Sequence, residues 1–226
     1  TIIELIKGED ERIFSRKLKF IKLKATATRI FSGPNGIFKN TPYGELQVWS
    51  NSNRKFENFP GRVVQLSVTG NRELWGLTRL GRIFHFQTGK WNQKRGVAGS
   101  ISSRGRHVLI VDHKNNVRRY NWKSKKFKSI GIRAQSVYVQ NQVRFWAIGI
   151  KGEIIQCSKK CRKIRGRSKK LSISPEGVVF SIDKNGKLLR YNGRKFEFVN
   201  TKFGLITDLA ATTGGGVWLL DKYNNI

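Results

Sequence analysis

One short pattern, repeated six times, constrains this chain more than any other feature. An apolar anchor is followed three residues later by a turn-former, three further on by Gly or Asn, and two after that by an aliphatic residue. Trp75, Thr78, Gly81 and Ile83 are the clearest copy. The others are Phe38, Thr41, Gly44, Leu46; Leu109, Asp112, Asn115, Val117; Trp146, Gly149, Gly152, Ile154; Phe180, Asp183, Gly186, Leu188; and Trp218, Asp221, Asn224, Ile226. The anchors are 37, 34, 37, 34 and 38 residues apart, a period that belongs to solenoids, arrays or propellers.

The chemistry of the unit chooses among these. Asp or Thr opening a turn with Gly or Asn three later is a type I turn signature, and the flanking aliphatic and aromatic residues suit strands. A second polar turn precedes Phe56, Trp91, Phe127 or Phe196, each preceded by a lysine (Lys55, Lys90, Lys126, Lys195). Before each anchor lies another short run, such as VVQLSV (63–68), SVYV (136–139) or LSIS (171–174). That makes four strands per unit, without the 3.6-residue spacing a helical repeat needs. The expectation is an all-β fold, a six-bladed β-propeller of four-stranded blades, forming a single domain over residues 1–226. Repeats fall at about 25–62, 63–96, 97–131, 132–167, 168–201 and 202–226. Residues 1–24, with a polar turn, a strand from Arg12 and Lys19-Phe20 in the Lys-aromatic position, read as a closing segment that pairs with the C-terminal one.

Charge is the anomaly. The chain holds 45 Lys and Arg against 14 Asp and Glu, a net +31, so its partners are expected to be anionic. The densest stretch is KKCRKIRGRSKK: Lys159, Lys160, Arg162, Lys163, Arg165, Arg167, Lys169 and Lys170 make eight of twelve residues basic, with no acid. Charge on an edge strand also guards against edge pairing, but two or three residues suffice for that. A further base recurs in the turn between second and third strands of five units: Arg79, Lys114, Lys151, Lys184 and Lys222. A single lysine in such a turn is ordinary solvated chemistry; five suggest a ring of positive charge. Trp49 and Trp122, on third strands, are candidates for stacking on a sugar, whereas the Trp and Phe anchors read as core.

Cys157 and Cys161 flank Ser-Lys-Lys at a hairpin, close enough for a disulfide in an oxidising compartment and otherwise a pair of thiols. With only His85, His107 and His113 elsewhere, they lack the spacing of a zinc site. Asp112, Asp183 and Asp221 recur as turn-formers, and no nucleophile–base pair or Gly-rich phosphate loop stands out, so neither catalysis nor a cofactor is expected. No apolar run reaches the length of a membrane span. The start at Thr1 and the lack of Met fit removal of an initiator Met or cleavage of a secretory peptide.

The six units, the segments LWGLTRLGRIF and VWLLDKYNNI, and the C-x-x-x-C before a fourth strand together resemble tectonin-type β-propeller lectins, the tachylectin-1 and fish-egg lectin group. The resemblance spans about 25–226, although the Gly-Val-Asn that follows the anchor Trp in that family is absent from every copy. It implies a secreted, non-catalytic six-bladed propeller that binds carbohydrate or bacterial lipopolysaccharide at loops between blades. Combined with the charge, it leads to an expected anionic glycan or lipopolysaccharide partner. The alternative is a basic architectural protein of a virion or other intracellular nucleoprotein assembly, contacting nucleic acid or structural protein partners.

Overall fold

The structure, a computed structural model, describes residues 2–4, 19–21, 23, 25–33, 36–70, 73–201 and 204–226. Two short strands, β1 (Ile2–Glu4) and β2 (Lys19–Ile21), pair with each other. The first four-stranded sheet is β3 (Arg29–Gly33), β4 (Gly36–Asn40), β5 (Glu45–Ser50) and β6 (Lys55–Arg62). The second is β7 (Gln65–Gly70), β8 (Glu73–Leu77), β9 (Arg82–Gln87) and β10 (Lys90–Val97). The third is β11 (Ser100–Arg104), β12 (His107–Val111), β13 (Asn116–Asn121) and β14 (Lys126–Arg133). The fourth is β15 (Ser136–Val139), β16 (Phe145–Ile148), β17 (Glu153–Cys157) and β18 (Cys161–Arg167). The fifth is β19 (Lys170–Ile173), β20 (Val179–Ile182), β21 (Leu188–Tyr191) and β22 (Phe196–Phe198). Last come β23 (Ile206–Ala211) and β24 (Val217–Asp221), paired as a sheet of two. Every sheet is an antiparallel meander, and the fold is an all-β propeller of four-stranded blades.

The count differs from the expectation of six four-stranded blades. Five are four-stranded, and the sixth repeat supplies only its first two strands. β1 packs against β24 without forming a ladder to it. The expected strand from Arg12 and the turn before it lie outside the described residues.

The anchors form the inter-blade cores, because period-2 alternation sends successive side chains of each second strand to opposite neighbours. Trp75 and Leu77 pack against Ile101, Val108 and Ile110 of the third blade, while Leu74 packs against Phe31 and Phe38 of the first. All six anchors are buried. Six apolar clusters result, one between each consecutive pair of units, and the last joins Ala27, Ile30 and Ile37 to Ala210, Trp218 and Ile226.

The turns after the anchors follow the sequence pattern. Gly44, Gly81, Asn115, Gly152, Gly186 and Asn224 all have positive φ and donate their N–H to the carbonyl three residues back. The Asp112, Asp183 and Asp221 carboxylates each accept backbone N–H bonds from residues two and four ahead. The carbonyls of Gly81, Asn115, Gly152 and Gly186 then accept the N–H groups of Ala98, Ala134, Ser168 and Ile206, where the next unit begins. The same bond joins Ala27 N–H to the Asn224 carbonyl (3.0 Å), and Leu23 and Ala25 bond the backbone of Ile226. The described ends of the chain therefore meet as neighbouring units do.

Candidate anionic-polymer interface

The inner strands β3, β7, β11, β15, β19 and β23 pack in succession around a polar channel of about 550 Å³. Their channel-side edges have no strand partner, which leaves backbone N–H groups to be satisfied. Side chains from the preceding unit do this. Ser67 Oγ accepts from Ser103 N (2.8 Å), Ser102 Oγ from Val139 N (2.8 Å) and Ser172 Oγ from Ala211 N (2.8 Å). Asp208 plays the same part for Ile30 N (3.1 Å), and its other oxygen takes a close charged hydrogen bond from Lys170 Nζ. Arg104 reaches past the fourth blade to donate to the carbonyls of Ile173 and Ser174 in the fifth. Burial lowers the Arg104 pKa, and Glu176 opposes the shift.

The outer strands are different in kind. β6, β10, β14 and β18 carry Gly61, Gly96, Gly131 and Gly166 at positive φ, each beside a break in register with the third strand. These are glycine bulges that bend the outer edge as it leaves the sheet. Spaced 35 residues apart, they are a second repeat that the anchor pattern alone does not reveal.

The basic stretch 159–170 starts in the hairpin before β18, follows that outer strand, and ends at the first residue of β19. Only one side of β18 is covered by another strand. Ile164 is buried in the core with Trp146, while Lys159, Lys160, Arg162, Lys163, Arg165, Arg167 and Lys169 are exposed. Lys170 is the exception: half-buried and held by Asp208 at the channel, it belongs to the inner ring rather than to the edge. Arg162 donates to Gln156 Oε1 (2.9 Å), which fixes the stem of one guanidinium along the edge. Cys157 and Cys161 are directly opposed in register and form a disulfide that closes this hairpin, with Cα atoms 4.0 Å apart.

The sequence reading missed how far this sector extends. From 113 to 175 the only acid is Glu153, against 18 Lys or Arg, a net +17. Lys126, Lys128 and Arg133 on β14 are exposed like their counterparts on β18, so the outer edges of two consecutive blades are both basic. The signal was the absence of acids, which a search for dense basic runs does not detect. The pKa of Glu153 itself is lowered: its own backbone N–H lowers it, burial works against this, and the Lys151 N–H and the Lys163 and Lys151 charges lower it further.

The turn bases are all exposed and emerge on one side of the ring, the side where each chain segment passes from a fourth strand to the next first strand. They do not share one turn position: Arg79, Lys184 and Lys222 follow the turn-former directly, whereas Lys114 and Lys151 stand one residue later. Trp49 and Trp122 are half-buried members of inter-blade cores. Trp49 packs edge-on against Phe56 (5.1 Å) and Trp218 (5.4 Å). Trp122 donates Nε1–H to the Arg106 carbonyl (2.6 Å), and the Arg106 guanidinium lies over its ring at 5.2 Å. Both rings are already engaged by the fold. Among the described residues no three His, Cys, Asp or Glu side chains gather as a metal site, and no helix is long and apolar enough to cross a membrane.

No protein-family model matches the chain, and no curated protein does. Solved β-propellers do match its fold. Human WBSCR16 superposes with a TM-score of 0.62 at 10% identity, over 83% of this chain and 70% of that one. U3-55K gives 0.63 at 10% identity, over 96% and 77%. A chain of the complex of Kap60 bound to yeast RCC1 (Prp20) gives 0.61 at 9% identity, over 86% and 67%. At these identities the likeness is one of fold alone, and the chain belongs structurally with the β-propellers.

Proposed function

We propose that this chain is a non-catalytic recognition propeller that binds an anionic glycan, such as lipopolysaccharide or a sulfated polysaccharide, along the outer edges of its third and fourth blades. The observation that carries the reading is the exposed rim of Lys and Arg on β14 and β18, whose stretch of chain holds a single acid. A polyanion laid along such a rim releases condensed counterions as each anionic group is neutralised, which makes binding favourable without a shaped pocket. The Cys157–Cys161 bond supports the glycan reading over a nucleoprotein scaffold, because disulfides persist in oxidising, extracellular compartments. The lectin resemblance is supported by the propeller fold but not by Trp49 or Trp122, so recognition rests on charge rather than stacking. The platform is a six-unit ring, with β1 and β2 completing the sixth blade beside β24; the bond from Ala27 N–H to the Asn224 carbonyl supports this closure.

A glycan array probed at low and high salt, with double-stranded DNA as competitor, tests the reading. Preference for sulfated or phosphorylated glycans over DNA of equal charge is the expected outcome. Tighter binding to DNA supports the nucleoprotein scaffold instead, and failure to bind either polyanion removes both.

A further inference from the structure

The exposed apolar side chains are not scattered. Among the described residues eight large apolar side chains are exposed, and six of them, Tyr43, Leu80, Val97, Ile150, Leu205 and Tyr223, lie on the face that carries the turns between second and third strands, while Phe198 stands on the outer strand of the fifth blade. The opposite face, which carries more hairpins, shows only Val143 among the described residues. Tyr43, Leu80 and Tyr223 are 82%, 74% and 69% exposed and occupy the turn tips of the first, second and sixth units, which are consecutive because β23 packs on β3 and β3 on β7. Val97, where β10 hands over to the third blade, extends the same arc. The first-unit tip of the arc, Tyr43, lies across the ring from the fourth blade, while its second-unit end adjoins the third.

Turn tips are normally polar, and an isolated exposed Leu or Tyr needs no explanation. An arc of them confined to one face is what an interaction surface looks like, since Tyr and Arg anchors ringed by polar groups supply most interface energy. Arg79, Arg82 and Lys222 stand between the apolar tips, and Lys222 Nζ sits 4.7 Å over the Tyr223 ring. We propose that this arc docks a partner protein through a segment in which aromatic or aliphatic side chains alternate with Asp or Glu. The apolar groups of the partner cover Tyr43, Leu80 and Tyr223, and its carboxylates meet Arg79, Arg82 and Lys222. Charge complementarity selects this occupant. A second copy of the chain is disfavoured by bringing two molecules of net +31 together, and an anionic polymer alone leaves the apolar tips unused.

The test is a displayed library of random-sequence peptides, selected on the protein and then titrated against Tyr43→Ser/Leu80→Ser/Tyr223→Ser. These positions are exposed, so the triple variant should melt with the parent. Enriched peptides should combine acids with aromatic or aliphatic residues, and should lose about tenfold or more in affinity for the triple variant. The same peptides should bind Arg162→Gln/Lys163→Gln/Arg165→Gln/Arg167→Gln as they bind the parent, which separates this face from the glycan rim. Enrichment of purely acidic peptides, equal binding to the triple variant, or no enrichment overturns the proposal. So does a parent dimer in sedimentation that the triple variant abolishes.

Discussion

The inner and outer strands of this propeller solve the same problem in opposite ways. Both are sheet edges with unpaired backbone groups. At the channel, Ser67, Ser102, Ser172 and Asp208 reach from one unit to the backbone of the next, so the edge is closed by side chains and packed against the neighbouring blade. At the rim, β14 and β18 are bent by glycine bulges and covered in Lys and Arg, so the edge stays open and solvated. The inner edge repeats from unit to unit because it holds the ring together. The outer edge does not: β6 holds Glu57 and Pro60 at the positions where β18 holds Arg162 and Arg165. Where a repeat protein departs from its own repeat, structure no longer dictates the residue, and function is free to do so.

Substitutions should divide accordingly. The largest loss is expected inside. Trp146→Ala empties the core shared with Tyr191, Ile164 and Val179, and should destabilise the fold by about 4 kcal/mol, read as a lower denaturant midpoint. Asp208→Asn keeps the side-chain volume but removes the charge paired with Lys170 and weakens the acceptor for Ile30 N–H, at a cost of about 2 to 3 kcal/mol. A loss no larger than that of a surface substitution would mean that the ring closes without this contact.

Acid provides a smaller and separable effect. Burial would raise the Asp112 pKa, but Arg118 Nε at 2.7 Å, the Asn116 and Lys114 N–H groups and the Asn116 amide together hold it well below the ordinary value of 3.8. A depressed carboxylate stabilises the fold above its unfolded pKa, and the contribution fades as pH falls from about 4 through the lower folded value. Asp112→Asn should therefore cost about 2 kcal/mol at pH 7 and progressively less toward pH 2. Denaturant midpoints at a series of pH values check this; an equal loss at every pH would show that the turn needs the geometry of the side chain and not its charge. Cys157→Ser is expected to cost least, on the order of 1 to 2 kcal/mol, because the bridged loop is short.

Much of the fold was legible because local chemistry recurs at fixed offsets. Thr41, Thr78, Asp112, Asp183 and Asp221 announce turns through bonds to their own following backbone, and the buried anchors set the period. The inner-edge serines were not legible, since their partners lie 36 to 39 residues away in the next unit and a serine in a strand carries no distinguishing signal. The sixth blade was legible in half: the last repeat carries its anchor and turn at Trp218, Asp221 and Asn224, and among the described residues β23 and β24 form a sheet of two whose end is met by Thr26, bridged to Asn225. At the rim, the run 159–170 was visible as density of charge, but the contribution of β14 was not, because its bases are spread among apolar residues. The packing of Trp49 against Trp218 and of Arg106 over Trp122 was not legible, because third-strand position alone does not say which neighbour meets the ring.

The most direct measurement is the salt dependence of binding to heparin by the parent and by Arg162→Gln/Lys163→Gln/Arg165→Gln/Arg167→Gln. The four residues are exposed and leave Ile164 and the anchors intact, so the variant should melt within a few degrees of the parent. If the rim carries the contact, affinity falls and the slope of log K against log salt becomes shallower by roughly 3, about 0.7 to 0.9 of a unit for each of the four charges removed. A variant with unchanged affinity and slope would show that β18 is only a solvated edge and that the anionic partner binds elsewhere on the propeller.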